Sequence, residues 1–322
     1  MLVSIFILMF GKRPNVRETL IMAGSLMLCL TVVSISATVL KHGPVTQSIF
    51  TVFPGIDLAF RVDALGLVFA TTASCLWSLV TLYSIGYMRT LKEHAQTRFY
   101  FCFALALSGA MGIAFAANLV TLFIFYEVLT ISTYPLVAHD ETPEAVSAGH
   151  KYLAYLLGGG VFLLLAIIFT YSMTGTTDFH PGGILTGTLG KTSSATLSVV
   201  FVFFLIGFAK AAWMPFHSWL PAAMVAPAPV SALLHAVAVV KAGVFGITRI
   251  VCHVYGVDLM QVLGLGTVLA AIAALTIIVA NVYALGQTNL KRLLAYSTIN
   301  QLSFILLGLA LLSPASITGA IL

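Results

Sequence analysis

The chain has 322 residues, of which 60% are hydrophobic and 8% charged, and its net charge is +5. Soluble domains are ~45–50% apolar and ~25% charged, so these few charges could not cover the surface of a soluble protein of this size. The apolar runs are continuous and long enough to cross a bilayer as helices, which excludes an outer-membrane barrel of short alternating strands. The composition therefore predicts an all-α, polytopic helical membrane protein.

Ten apolar segments are predicted along the chain, each bounded by charged or Pro/Gly-rich loops. The first is too short to cross ~30 Å of hydrocarbon at 1.5 Å per residue, so we interpret it as the end of a helix whose beginning is missing. The residues after the last segment could begin another apolar helix. The predicted segments are 1–10, 19–40, 62–88, 99–116, 117–138, 150–173, 195–220, 227–251, 261–286 and 294–312.

The basic residues of the connecting loops predict the orientation of these segments. An excess of lysine and arginine marks the cytoplasmic side of a membrane protein. One side receives nine: Lys12, Arg13, Arg17, Arg89, Lys92, Arg98, Lys151, Lys291 and Arg292. The other receives four: Lys41, Arg61, Lys191 and Arg249. The first set is therefore expected in the cytoplasm. On the opposite side, Ser48–Phe60 alternates apolar and polar residues around Pro54-Gly55, which favours a small β-hairpin.

The sequence lacks the motifs of several classes of binding protein. The four cysteines lie far apart in apolar runs with no C-x-x-C pair, so neither zinc nor iron–sulfur ligation is supported. A stretch that ends in Gly-Lys-Thr has Leu185 where a P-loop requires its first glycine. The positive charge falls mostly in short loops and gives no reason to expect a nucleic-acid partner. We expect no cofactor and no metal.

A few ionisable side chains remain inside the predicted segments. Glu127, Lys210, Lys241 and His235 lie near the middle of three of them, and His217 lies toward a cytoplasmic end. Each buried charge costs at least ~2.5–3.5 kcal/mol on insertion scales. Two alternatives remain open: a static ion pair with a hydrogen-bonded histidine, or a proton path. A static pair does not explain a second lysine at the same depth, so a row at one depth favours the proton path.

The chemistry of these groups suits a proton relay. A buried amine releases its proton more readily than an exposed one, and a carboxylate that approaches it reverses this effect. Imidazole can accept a proton on one nitrogen and donate from the other, so His235 is a natural bridge. Pro215 and Pro221 follow Lys210 closely, and we expect an interrupted helix near Met214–His217, which would free backbone carbonyls beside the lysine.

The residues around Lys210 also carry a resemblance. The stretches Gly207–Pro221 and Ala226–His235 are similar to the core of the proton-conducting antiporter-like subunits, a family that includes subunits of Mrp-type cation/proton antiporters and the large membrane subunits of respiratory complex I. Tyr126-Glu127, Arg61-Val-Asp63 and Lys291–Ser297 match the same family. The combination of His235 with Val-Val-Lys241-Ala-Gly most resembles Mrp-type D or A subunits.

The resemblance implies a role for each matching residue and an antiporter-like fold with a discontinuous seventh helix. Glu127 and Lys210 would form the gating pair, and His235 and Lys241 would continue the path. The implied fold has two inverted five-helix repeats, and this chain stops within the second, so the exit half is expected from the missing part or from another chain. The implied division is 1–98 for the N-terminal helices, 99–251 for the first repeat and 252–322 for the start of the second.

The function implied is a proton-translocating subunit of a multisubunit monovalent cation/proton antiporter in a bacterial plasma (inner) membrane, with no enzymatic activity of its own. Its partners would be other membrane subunits, the lipid bilayer, protons, and Na⁺ or K⁺. Two alternatives stay open: a subunit of complex I or of a membrane-bound hydrogenase, in which a redox partner drives the same row, and a non-conducting scaffold fragment.

Overall fold

A computed structural model describes residues 1–53, 55–233 and 238–322. Helices dominate the described residues, and they include a 3₁₀ turn at Ala209–Ala211 and a π-helical segment at Ile250–Tyr255. The α-helices are α1 (Leu2–Met9), α2 (Pro14–His42), α3 (Ala64–Thr90), α4 (Gln96–Ala114), α5 (Leu119–Val137), α6 (Pro143–Thr174), α7 (Ser194–Gly207), α8 (Trp219–Ala222), α9 (Ala228–Ala232), α10 (Val239–Arg249), α11 (Val257–Val262), α12 (Leu265–Leu285), α13 (Leu290–Ala310) and α14 (Pro314–Ile321).

The prediction of an all-α polytopic membrane protein is confirmed. Within the described ranges, seven helices (α2 to α6, α12 and α13) are long and apolar enough to cross a membrane. The predicted segment 195–220 is divided into α7 and α8, and the segment 227–251 contains α9 and α10 on either side of the four residues that lie outside the description. The residues after segment 294–312 form α14, as expected.

Side-chain caps determine where several of the long helices begin. Asp63, Asn118, Thr142 and Ser193 each precede a helix and accept a hydrogen bond from the backbone N–H three residues later. Such a cap satisfies one of the N–H groups that has no partner within the helix. Short polar residues therefore end the loops at the starts of α3, α5, α6 and α7.

The predicted β-hairpin is present and somewhat longer than expected. Strands β1 (Val45–Phe53) and β2 (Ile56–Val62) pair antiparallel. The Asn118 side-chain amide donates to the carbonyl oxygen of Asp57 at 2.7 Å, and the Ala117 N–H donates to the carbonyl oxygen of Ala59 at 3.0 Å. The hairpin is thus anchored over the beginning of α5.

The helices that carry the candidate charges pack around the short segment after α7. Helix α5 lies between α4 and α6, and α6 packs against α7. Helix α10 contacts the turn Ala209–Ala211, and its other neighbours include α13. Lys210 therefore lies in the interior of the bundle, with α5, α6 and α10 around it.

Candidate functional site: a broken helix around a buried lysine

The predicted interruption of the seventh segment is present, but it begins earlier than its prolines suggest. Helix α7 ends at Gly207, and a 3₁₀ turn over Ala209–Ala211 follows. Ala212 has a left-handed φ of 54°, a conformation that a right-handed helix cannot continue through. Pro215 lies beyond this point, and Pro221 lies within the short helix α8. Pro215 therefore lies within the interruption, whereas the break itself starts at Phe208.

Two tryptophans supply hydrogen bonds that the broken helix has lost. The indole N–H of Trp213 donates to the carbonyl oxygen of Leu205, and that of Trp219 donates to the carbonyl oxygen of Ala209, both at 3.1 Å. A backbone carbonyl without a partner is costly in a membrane, where water is excluded. The prolines predicted freed carbonyls, but no local sequence pattern indicates that these two tryptophan side chains bind them.

Lys210 is 0% exposed, and its main contacts are with Tyr126 of α5. The Lys210 ammonium nitrogen lies 2.5 Å from the Tyr126 carbonyl oxygen, to which it donates, and 3.2 Å from the centre of the Tyr126 ring. The Tyr126 hydroxyl in turn donates to the carbonyl oxygen of Gly207 at 3.1 Å. Tyr126 therefore joins α5 both to the lysine and to the end of α7.

Glu127 points toward α6 rather than onto Lys210. A Cβ atom built on Gly160 of α6 would lie only 2.4 Å from Oε1 of Glu127. Both carboxylate oxygens are buried and have no hydrogen-bond partner among the described residues. No ion pair within 4.0 Å connects Glu127 to Lys210 in the described structure. The expected gating pair is thus not in direct contact here.

Glycines allow α10 to approach the broken segment closely. A Cβ built on Gly243 would lie 2.2 Å from the Ala211 nitrogen, and one on Gly246 would lie 2.0 Å from the Phe208 ring. These glycines share one face of α10 because they are three residues apart. Lys241 is two residues before Gly243, about 200° away around the helix, so it faces away from the break.

Lys241 borders a cavity of about 570 Å³ on the far side of α10, lined by residues of α3, α10, α13 and α14. No acidic group lies within 4.0 Å of it among the residues that the structure describes. His235, which the sequence predicts between the two lysines, lies outside the described residues. The structure therefore separates Lys210 and Lys241 by the body of α10.

His217 lies beside two tyrosines at the end of the broken segment. Its ring centre is 6.3 Å from that of Tyr283 on α12 and 6.4 Å from that of Tyr296 on α13. The tyrosine rings are themselves 5.6 Å apart and stacked. Tyr296 belongs to the family-like stretch Lys291–Ser297. This stretch therefore contributes to the surroundings of His217.

Two basic residues assigned to loops are instead buried. Arg249, placed among the outer-loop charges, is 1% exposed and forms a bidentate ion pair with Asp63, with nitrogen–oxygen distances of 2.5 and 2.7 Å. Arg17, placed among the cytoplasmic-loop charges, is 3% exposed within α2, where it pairs with Glu18 at 3.2 Å and donates to Gln96 at 2.7 Å. The contacts with Asp63 and Gln96 have no sequence signal, because a local count of charges does not show which distant acid or amide faces each arginine.

The Asp63–Arg249 pair affects the acidity of its carboxyl group. Burial opposes ionisation of Asp63, but the hydrogen bonds and positive charge of Arg249 outweigh it, so the pKa of Asp63 lies below its usual value. The carboxylate also caps α3 through the Gly66 N–H at 2.9 Å. This pair joins the beginning of α3 to the end of α10, the helix that carries Lys241.

A comparison with known protein families identifies the family to which the chain belongs. Residues 116–322 match the family described as NADH:quinone oxidoreductase/Mrp antiporter, TM, and residues 54–100 match the family described as NADH-Ubiquinone oxidoreductase (complex I), chain 5 N-terminus. The first match covers more than half of the chain and includes Glu127, Lys210 and Lys241. The chain belongs to this antiporter family. The resemblance inferred from the motifs around Lys210 is thereby confirmed.

Individual relatives agree with this family membership. The chain is 33% identical over 258 residues to a Staphylococcus aureus protein (strain MSSA476) described as antiporter subunit mnhA2, a match that covers 78% of this chain and 31% of that protein. The chain therefore spans about a third of the length of the curated relatives it matches. Relatives from the MW2 and JH9 strains match equally over the same length.

Two solved complexes contain chains of the same fold. A chain of the membrane-bound sulfane sulfur reductase, an archaeal respiratory membrane complex, superposes with a TM-score of 0.82 at 26% identity, over 96% of this chain and 62% of that one. A chain of the Mrp complex from Dietzia sp. DQ12-45-1b superposes with a TM-score of 0.80 at 28% identity, over 99% of this chain and 34% of that one. This antiporter-family chain thus has the antiporter-like fold of a multi-pass membrane protein.

Proposed function

We propose that this chain carries the entry half of a proton path in a multisubunit monovalent cation/proton antiporter. The observation that carries the proposal is Lys210, a fully buried amine on a broken helix, next to the peptide that bears Glu127. A buried charge in a membrane-spanning region is expensive, and it marks an ion or proton path more often than a structural contact.

The contacts of Lys210 suit an amine that changes its charge. A carbonyl oxygen and an aromatic face stabilise the ammonium form, but neither carries a full charge that would fix the proton permanently. Glu127 can act on Lys210 by moving: a carboxylate turned toward the amine favours the protonated form, and one turned toward Gly160 favours release. Transfer of a proton would then depend on the orientation of the Glu127 side chain.

The path would continue across α10 to Lys241. His235 precedes Lys241 by six residues on the same segment, and an imidazole there could pass a proton through its two nitrogens. The cavity beside Lys241 is where the proton would leave this helix toward α13. His217 would lie at the cytoplasmic end of the path, next to Tyr283 and Tyr296. The division into 1–98, 99–251 and 252–322 remains part of this proposal.

The complexes in which similar chains occur indicate the kind of partner to expect. The solved structures of this fold are subunits of multisubunit membrane complexes, and the chain spans only part of their length. We infer that the exit half of the path and the exchange of Na⁺ or K⁺ require protein segments that this chain does not include, together with neighbouring subunits of the complex. The expected location is a bacterial plasma membrane, with the loop between α5 and α6 in the cytoplasm.

A redox-driven complex is the second candidate. The chain superposes on a chain of an archaeal respiratory complex as well as it does on the Mrp chain, with TM-scores that differ by 0.02. This similarity supports the second candidate. The two candidates predict different energy sources for proton movement. In sealed vesicles an imposed Na⁺ or K⁺ gradient should drive the pH change in an antiporter, whereas a respiratory reductant should drive it in the second case.

Arginine substitutions test the proton path directly. We expect Lys210→Ala to abolish coupled transport and Lys210→Arg to be severely impaired, because arginine keeps the charge but effectively never releases a proton. Lys241→Arg should fail for the same reason. Lys151→Arg, at an exposed position, is the matched control.

The measurement is dye-monitored pH change in inverted vesicles that contain the complete complex, with assembly confirmed separately for each variant. A purely structural contact between a permanent cation and Tyr126 would instead tolerate arginine. Near-normal coupling in both the Lys210→Arg and the Lys241→Arg variants would therefore exclude proton release from these amines.

A further inference from the structure

Three side chains that can bind a metal meet in the loops on the predicted cytoplasmic side of the bundle. Glu93 and His94 lie in the loop between α3 and α4, and His139 lies in the loop between α5 and α6. One carboxylate oxygen and one nitrogen from each histidine all lie within 4.8 Å of one another. The sequence did not indicate this group, because His139 is separated from the other two residues by a whole helical hairpin.

The buried side chain of His139 indicates that a ligand binds here. Its side chain is 0% exposed, yet neither ring nitrogen has a hydrogen-bond partner in the described structure. A neutral imidazole has one donor and one acceptor, and burying either without a partner is unfavourable. The ring stacks on that of His94 with their centres 4.7 Å apart, and one of its nitrogens lies within 4.8 Å of the ligand atoms of Glu93 and His94.

The surrounding residues hold the two loops in place. The Gln96 side-chain amide donates to the carbonyl oxygens of Met88 and Glu93, at 3.1 and 3.2 Å, which fixes the loop that bears His94. Arg98 donates to the carbonyl oxygen of His139 at 3.2 Å and also pairs with Glu141. The guanidinium charge beside the site is thus balanced by a carboxylate.

We propose that Glu93, His94 and His139 bind a Zn²⁺ ion that links the α3–α4 loop to the α5–α6 loop. Two imidazoles and a carboxylate are a common three-residue zinc set, with water in the fourth position. The His94 and His139 rings stand at 28° to each other, so coordination requires one of them to turn. The side chain of His94 is 49% exposed and that of Glu93 is 22% exposed, so these two can move toward the buried His139.

The test is Zn²⁺ titration of the purified complete complex after chelation, in competition with a chromophoric zinc chelator. We expect the wild type to bind one more Zn²⁺ per chain than His94→Gln or Glu93→Gln, or to bind that ion at least about tenfold more tightly, since ligand loss should cost no less than the loss of a supporting residue. His150→Gln, at an exposed histidine on the same side, should bind as the wild type does.

A stability measurement gives a second readout. Zn²⁺ should raise the unfolding temperature of the wild type and of His150→Gln, because a ligand that binds the folded state stabilises it, but not that of His94→Gln. His94 is half exposed, so His94→Gln should fold even if a change at buried His139 does not. If His94→Gln binds Zn²⁺ with the stoichiometry and affinity of the wild type, the site does not exist and the histidines only stack.

Discussion

Gly160 gives the sharpest test of whether the orientation of Glu127 matters. In Gly160→Ala the new Cβ would lie 2.4 Å from Oε1 of Glu127, whereas ordinary contacts begin at 3.4 Å, so the carboxylate must move by about 1 Å. The atom displaced is the end of a flexible side chain, so the fold should survive. A displacement of this size can reduce a chemical step roughly a hundredfold, and we expect coupled transport to fall ten- to a hundredfold.

Gly158→Ala is the matched control. It lies on the same helix two residues earlier, and a Cβ there meets nothing within 4 Å. Both substitutions replace an interior helical glycine by alanine, which favours the helix by roughly 0.5–1 kcal/mol. The assay is cation-driven pH change in vesicles, with thermal unfolding as the measure of folding. Equal transport by the two variants would refute the view that the carboxylate position next to Gly160 controls the path.

Two further predictions concern stability. Asp63→Asn leaves Arg249 buried without its counter-ion, so unfolding in detergent should become easier by roughly 3–5 kcal/mol at pH 7. Because the pKa of Asp63 is lowered in the folded state, this contribution is present above the ordinary carboxyl pKa of ~3.9 and is lost as the pH falls through the lower folded value. The difference between wild type and Asp63→Asn should therefore shrink as the pH falls below ~3.9, and a difference that stays constant below this pH would contradict the assignment. Trp219→Phe removes the donor to the Ala209 carbonyl oxygen, which should cost about 1–3 kcal/mol beyond the loss of ring area. Trp77→Phe is the matched control, because Trp77 is also buried and its indole N–H has no hydrogen-bond partner in the part of the chain that the structure describes. Trp219→Phe should unfold at the lower temperature of the two, and equal unfolding temperatures would mean that the Ala209 carbonyl finds another partner.

The amino-acid sequence by itself determined the class of protein, the positions of its long helices and the small set of charges inside them. These features depend on composition and on local patterns, since an apolar run long enough to cross a bilayer must satisfy its backbone as a helix. The motif around Lys210 also identified the family. The interruption after α7 was expected because prolines cannot continue a helix, although its start at Phe208 was not.

Only the tertiary structure decided what each buried group contacts. Lys210 contacts Tyr126 rather than Glu127. Trp213 and Trp219 donate to the freed carbonyl oxygens. Arg249 pairs with Asp63, 186 residues earlier in the chain. No local pattern encodes these pairs, because a side chain's partner across a helix bundle depends on how neighbouring helices are rotated and how closely glycines let them approach.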